Sequence, residues 1–108
     1  MMRYVSNMAA TDCTDILKAL SDRTRQRIVK ALIAETLSVN GLTERLGLSQ
    51  YNTSKHLGVL KRAGIVGSRA EAQRREYFIA ETFRKRLEEE GNTLDFGCCT
   101  FRMDQLPS

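Results

Sequence analysis

Residues 38–64 read SVNGLTERLGLSQYNTSKHLGVLKRAG: two short helical patterns separated by only GLSQ, and few architectures allow so tight a joint between helices. Ser38 is placed to cap the first helix, which ends at Gly47 and carries Leu42 and Leu46 four apart on its buried side. Ser49 caps the second, which runs to Gly64 with Thr53, Leu57 and Leu60 as its inward stripe. A serine oxygen accepts from a backbone N–H that the first turn leaves without a partner, so each serine marks a helix start. Two helices joined this closely read as a helix-turn-helix.

The flanking sequence extends that unit. Asp12 or Thr11 can cap a first helix carrying Ile16, Leu17 and Leu20, which Ser21-Asp22 interrupts. Asp22 or Thr24 then opens a helix to about Glu35, with Ile28, Val29, Leu32 and Ile33 at helical spacing. After Gly64 the period changes to two: Ile65-Val66 and Tyr77-Phe78-Ile79 flank the polar GSRAEAQRRE, a hairpin with a charged tip. A last helix from about Glu81 turns Phe83 and Leu87 inward and stops at Gly91-Asn92. The order α-α-α-α-β-β-α, mainly α with a β-hairpin wing, is a winged helix-turn-helix. It occupies residues 11–92, between a flexible arm over 1–10 and a tail over 93–108.

At 108 residues the chain forms one modest core rather than two domains. No apolar run approaches the roughly 18 residues that cross a bilayer, and the N-terminus lacks the apolar centre of a signal peptide, so a cytoplasmic protein with no membrane partner is expected. No serine–histidine–aspartate set, phosphate-cradling glycine loop or carboxylate cluster points to an enzyme.

Charge is uneven. Residues 49–77 hold six Lys/Arg against two Glu, whereas residues 78–108 hold four basic against six acidic side chains. The surplus lies in the second helix of the helix-turn-helix and the hairpin, which suggests a polyanion there. Such a helix enters the DNA major groove by its N-terminal residues, here Gln50, Tyr51, Asn52, Ser54 and Lys55. Gln and Asn pair bidentately with adenine, and Ser and Tyr donate to bases or phosphate. Lys55 and Lys61 suit phosphates, Arg74 at the hairpin tip suits a neighbouring minor groove, and Arg75 or Arg69 the backbone. His56, the only histidine, has no second imidazole or nearby thiol in its helix and is assigned to the DNA side. The expected partner is double-stranded DNA. Three cysteines, Cys13, Cys98 and Cys99, make a disulfide framework improbable; in a reducing cell they are inert, redox-active, or ligands for a soft ion.

Three blocks together, LKALSDRTRQRIVKAL (17–32), LTERLGLSQYNTSKHLGVLKRAGIV (42–66) and SRAEAQRREYFI (68–79), resemble the ArsR/SmtB family of metal- and metalloid-responsive repressors over about residues 12–90. The resemblance implies a homodimer through the first and last helices that occupies a palindromic operator and leaves it when an inducer binds. Two departures are visible. Gln73 precedes the tip Arg74 where the family often has Gly, and Ser38, Val39 and Asn40 stand where arsenite-responsive members often carry Cys-Val-Cys. The last helix, ETFRKRLEEEG, has no His, which leaves a poor zinc set.

Family members place inducer cysteines at different points on the scaffold, including beyond the last helix, and Cys98-Cys99 fits that habit. Adjacent α-carbons lie ~3.8 Å apart, so both sulfurs can reach one soft centre. As(III) or Sb(III) takes three thiolates, and Cys13 is the third candidate, near the two-fold axis of the implied dimer. The alternatives on the same thiols are a redox or sulfide switch, Cd, Hg or Cu sensing, and a DNA-binding protein with no inducer.

Overall fold

The computed structural model describes residues 13–91, 93–95 and 100–107, with Cys13 described by its backbone alone. Elements follow in the order α1 (Cys13–Leu20), α2 (Arg23–Ala34), β1 (Leu37–Ser38), α3 (Val39–Leu46), α4 (Gln50–Arg62), β2 (Val66–Glu71), β3 (Arg74–Ile79), α5 (Glu81–Glu90), β4 (Thr93–Asp95), β5 (Thr100–Arg102) and a 3-10 turn at Met103–Gln105. The expected four helices, wing and final helix are all present. Among the described residues no helix is long and apolar enough to cross a membrane.

Side-chain caps set the helix starts. Asp22 Oδ1 accepts from Arg25 N at 3.0 Å, Ser38 Oγ from Gly41 N at 3.1 Å, and Ser49 Oγ from Asn52 N at 3.1 Å. Burial alone would raise the Asp22 pKa, but the Arg25 N–H bond and guanidinium charge overcome it and hold the carboxyl below its ordinary value. Gly47 ends α3 at φ +69°, the left-handed conformation a β-carbon disfavours, and its N–H returns to Thr43 O at 2.9 Å.

The core lies where α2, α3 and α4 meet the wing. Ile28, Val29 and Leu32 of α2 pack with Leu42, Leu57 and Leu60, and all are buried. Each such side chain stabilises the fold by roughly 1.5–3 kcal/mol when fully buried. Thr53 is wholly buried too: its Oγ1 donates to Ser49 O at 2.8 Å and accepts from Thr43 Oγ1 at 3.2 Å, so the hydroxyl is satisfied and ties α4 to α3.

Three features differ from the sequence reading. Leu37-Ser38 forms β1, pairing antiparallel with Tyr77 and Glu76, so the wing belongs to a three-stranded sheet of order β1-β3-β2. The wing strands run to a two-residue tip, Ala72-Gln73, so Arg74, read as the tip residue, is the first residue of β3; Ala72 takes a positive φ (+58°), a conformation that favours glycine. The segment read as a tail is joined to the body. β4 and β5 pair in an antiparallel hairpin, and Leu94, Met103 and Leu106 are buried. Arg86 donates to Asp95 O at 2.6 Å, Asp95 N to Glu90 Oε1 at 3.2 Å, and Lys30 Nζ to Leu106 O at 3.1 Å.

Candidate nucleic-acid interface

The first turn and a half of α4 presents polar side chains. Gln50, Tyr51, Asn52, Ser54 and Lys55 are exposed, Tyr51 to 77%, while Thr53 between them faces the core. An exposed aromatic ring with a hydroxyl, next to uncharged hydrogen-bonding groups, is of the kind enriched at interfaces. Gln50 Nε2 donates to Asn40 Oδ1 in the second position of α3. That contact fixes the Gln50 amide and adds Asn40 to the exposed polar face. Sequence reasoning singled out Asn40 only for the cysteine it replaces; the Ser38 cap sets its place on α3.

The wing cations divide over two faces. The register pairs Arg69 with Glu76 and Glu71 with Arg74, so these four share one face of the hairpin; Ser68 and Arg75 lie on the other. Lys61 Nζ, from the last turn of α4, donates to Ser68 Oγ at 2.8 Å and Arg75 Nη1 to the same oxygen at 3.3 Å. Arg75 thus joins Lys61 at the seam between α4 and the wing. Arg69 lies over the Phe78 ring, 5.2 Å from its centroid, and within 4 Å of Glu71 and Glu76. Gly67 makes room for that ring, because a β-carbon there would stand 2.7 Å from it. Arg74 bonds Glu76 at 3.0 Å, so one carboxylate holds two of the expected DNA-contacting arginines. Arg69 and Arg75, expected as interchangeable backbone contacts, point to opposite sides of the sheet.

His56 is held against α2. Its Nδ1 lies 3.1 Å from Arg25 Nη1, and the ring is half-buried. Its neighbours Lys55 and Leu57 face solvent and core respectively, so His56 sits at the edge of the exposed face. Cys98, Cys99 and the Cys13 side chain lie outside the described residues. The pair falls within residues 96–99, between Asp95 and Thr100, which are partners in the β4–β5 ladder. Among the described residues no cluster of three or more His, Cys, Asp or Glu could hold a metal ion.

A capped, polar, exposed helix flanked by a basic hairpin is the architecture of a winged helix-turn-helix regulator. A family model described as a helix-turn-helix domain matches residues 20–69. The transcriptional activator HlyU of Vibrio cholerae is 42% identical over 67 residues, 62% of each chain. The biofilm growth-associated repressor of Agrobacterium fabrum is 38% identical over 78 residues, covering 72% of this chain and 67% of that one. The structure of Vibrio cholerae HlyU superposes with a TM-score of 0.64 at 34% identity over 82% of this chain and 94% of that one; its reduced form gives 0.61 at 36%, over 82% and 93%. A protein described as a "possible transcriptional regulator for arsenical resistance" gives 0.61 at 30% identity over 70% of this chain and 79% of that one. The chain belongs to the ArsR/SmtB family of winged-helix transcriptional regulators.

Proposed function

We propose that this protein is a homodimeric repressor that reads a palindromic operator with α4 and the wing, and leaves it when a soft inducer, As(III) or Sb(III), is ligated by cysteine thiolates. The observation that carries the DNA half is the exposed Gln50–Lys55 face beside the Lys61–Ser68–Arg75 seam. Leu17, read as sharing a face with Ile16 and Leu20, is 44% exposed on α1 and leaves an apolar position there that a second copy could cover. The relatives differ in sign, one named an activator and one a repressor. Repression is the simpler reading, since a small single domain acts by occupying DNA. The site of action is the cytoplasm, where the DNA is and thiols stay reduced.

Support for the inducer half comes from chemistry and from a relative. Arsenous acid condenses with three thiols, giving three As–S bonds and three waters, and this chain has three cysteines. A superposable relative is described in terms of arsenical resistance. Ser38, at the position of the family's frequent first thiol, serves here as the α3 cap. The β4–β5 hairpin that brackets Cys98-Cys99 is bonded to α5 through Arg86 and Glu90, which gives ligation there a route to the last helix. A second reading, oxidation of the same thiols to a disulfide or polysulfide bridge, is favoured by the relation to HlyU, one of whose solved structures is described as reduced. Cd(II), Hg(II) and Cu(I) are further candidates for the thiolates.

The docking model is tested by two variants in fluorescence anisotropy on specific DNA at matched salt. Arg74→Ala is expected to lower the slope of log affinity against log salt by about one unit, because the wing arginine acts mostly through its charge in the groove and its loss releases about one counterion fewer. Gln50→Ala is expected to cost roughly 1–3 kcal/mol and relax preference at one base position per half-site. Wild-type binding by both variants contradicts the model.

A further inference from the structure

The carboxyl end of α1 is capped by side chains from the first turn of α2. Gln26 Nε2 donates to Leu20 O at 2.7 Å, Arg25 Nε to Ala19 O at 2.7 Å, and Arg25 Nη2 to Lys18 O at 3.0 Å. Carbonyls of the last turn of α1, Ala19 O and the Lys18 O it shares with Ser21, account for two arms of the Arg25 guanidinium. They do not account for the third: Nη1 reaches across 31 positions of sequence to His56 Nδ1, 3.1 Å away in the middle of α4. Towards the end of α4, an open cleft of about 330 Å³, lined by Lys18, Ala19, Val59 and Arg62 among others, separates it from α1. One side chain therefore spans α1 and α4 beside a gap.

A guanidinium has only donors, so Nδ1 of His56 is the acceptor and the proton of the ring is on Nε2. The contact exists only while His56 is neutral; a proton on Nδ1 sets two donors face to face.

We propose that Arg25 is a positioning residue for operator recognition: through neutral His56 it fixes the exposed first half of α4 relative to α1, and protonation of His56 releases that lock. The inference rests on the reading of α4 as the DNA-reading helix. The charges facing the ring are Asp22 and Arg25 from the start of α2 and Lys55 on its own helix. Burial, and then the two cations, outweigh Asp22 and hold the His56 pKa below its ordinary value. The lock is present at neutral pH and is lost as pH falls through a His56 pKa that lies below the ordinary histidine value. His56 is the only histidine in the chain, and DNA phosphates do not titrate in this range, so the part of a step between pH 5.5 and 7.5 that a His56 substitution abolishes reports on this ring rather than on the amino terminus or the thiols.

The test uses the full chain, reduced, with a duplex recovered by selection from a randomised library at pH 7.5 and a scrambled duplex as control. Anisotropy is read from pH 7.5 to 5.5 at constant ionic strength. The expected result is a roughly two- to tenfold loss of specific affinity at acid pH, the size of one lost hydrogen bond. His56→Asn, whose Oδ1 can take the place of Nδ1 and cannot be protonated, shows no step, whatever its affinity at pH 7.5. Arg25→Lys cannot reach all three partners and also loses the step, with weaker binding throughout; the wild-type and His56→Asn profiles stand if that variant does not fold. Tighter binding at acid pH overturns the proposal and makes His56 a phosphate contact. An equal step in His56→Asn, or none in the wild type, also overturns it. No preference for the selected over the scrambled duplex at pH 7.5 is a failure of the α4 reading itself.

Discussion

Leu57→Ala is expected to destabilise the chain by about 2–5 kcal/mol, a large share of the roughly 5–15 kcal/mol that holds a domain of this size together. Leu57 is 1% exposed, two positions after the solvent-facing Lys55, and its side chain meets the buried stripe of α2 and α3. Alanine removes the apolar area and leaves a cavity that a helix clamped by the Thr43–Thr53 hydroxyl bond cannot collapse. Urea denaturation at fixed protein concentration checks it: the midpoint should fall with little change in slope. Tyr51→Ala, six positions earlier and 77% exposed, should change stability by no more than about 0.5 kcal/mol. A loss under about 1 kcal/mol for Leu57→Ala would mean that α4 is not packed as described.

The second large effect concerns the thiols. Cys98→Ser or Cys99→Ser should give a regulator that binds DNA like the wild type and stays bound when arsenite is added. A serine hydroxyl remains protonated at pH 7 and is a hard oxygen, so it does not replace a soft thiolate. Cys13→Ser separates the detailed models. If Cys13 is the third ligand, X-ray absorption of the arsenic-loaded protein should count three sulfurs in the wild type and two in this variant. Three sulfurs in both would remove Cys13 from the site, and full arsenite response in Cys98→Ser and Cys99→Ser would remove the pair.

Much of the fold was legible because local chemistry and global packing agree. Asp22, Ser38 and Ser49 are caps in the sequence pattern and caps in the molecule, and the apolar spacing of α2, α3 and α4 selects residues that are buried, except Ile33 and Leu46, which are half-buried at the edge of the core. What escaped notice lacks a local signal. β1 has two residues, too few to show a period, and exists because Leu37 and Ser38 find Tyr77 and Glu76 some forty positions away. The outer halves of β2 and β3 are exposed on both faces, so Arg69, Glu71, Arg74 and Arg75 show no alternation of apolar and polar residues. β4 and β5 have three residues each, and Leu94, Met103 and Leu106 are buried without any regular spacing. The candidate interface divides the same way. The exposed face of α4 follows from its helical period, whereas the Asn40–Gln50 and Arg25–His56 contacts depend on how the helices cross, and no run of neighbouring residues encodes that.

The most direct measurement is anisotropy of the reduced wild-type protein on its selected duplex during titration with arsenite, followed in a second aliquot by a polysulfide. Arsenite is expected to return the signal to that of free DNA, with no release by zinc at the same concentration. A signal unchanged at saturating arsenite, with release by the polysulfide alone, would contradict it and make the three cysteines a redox switch.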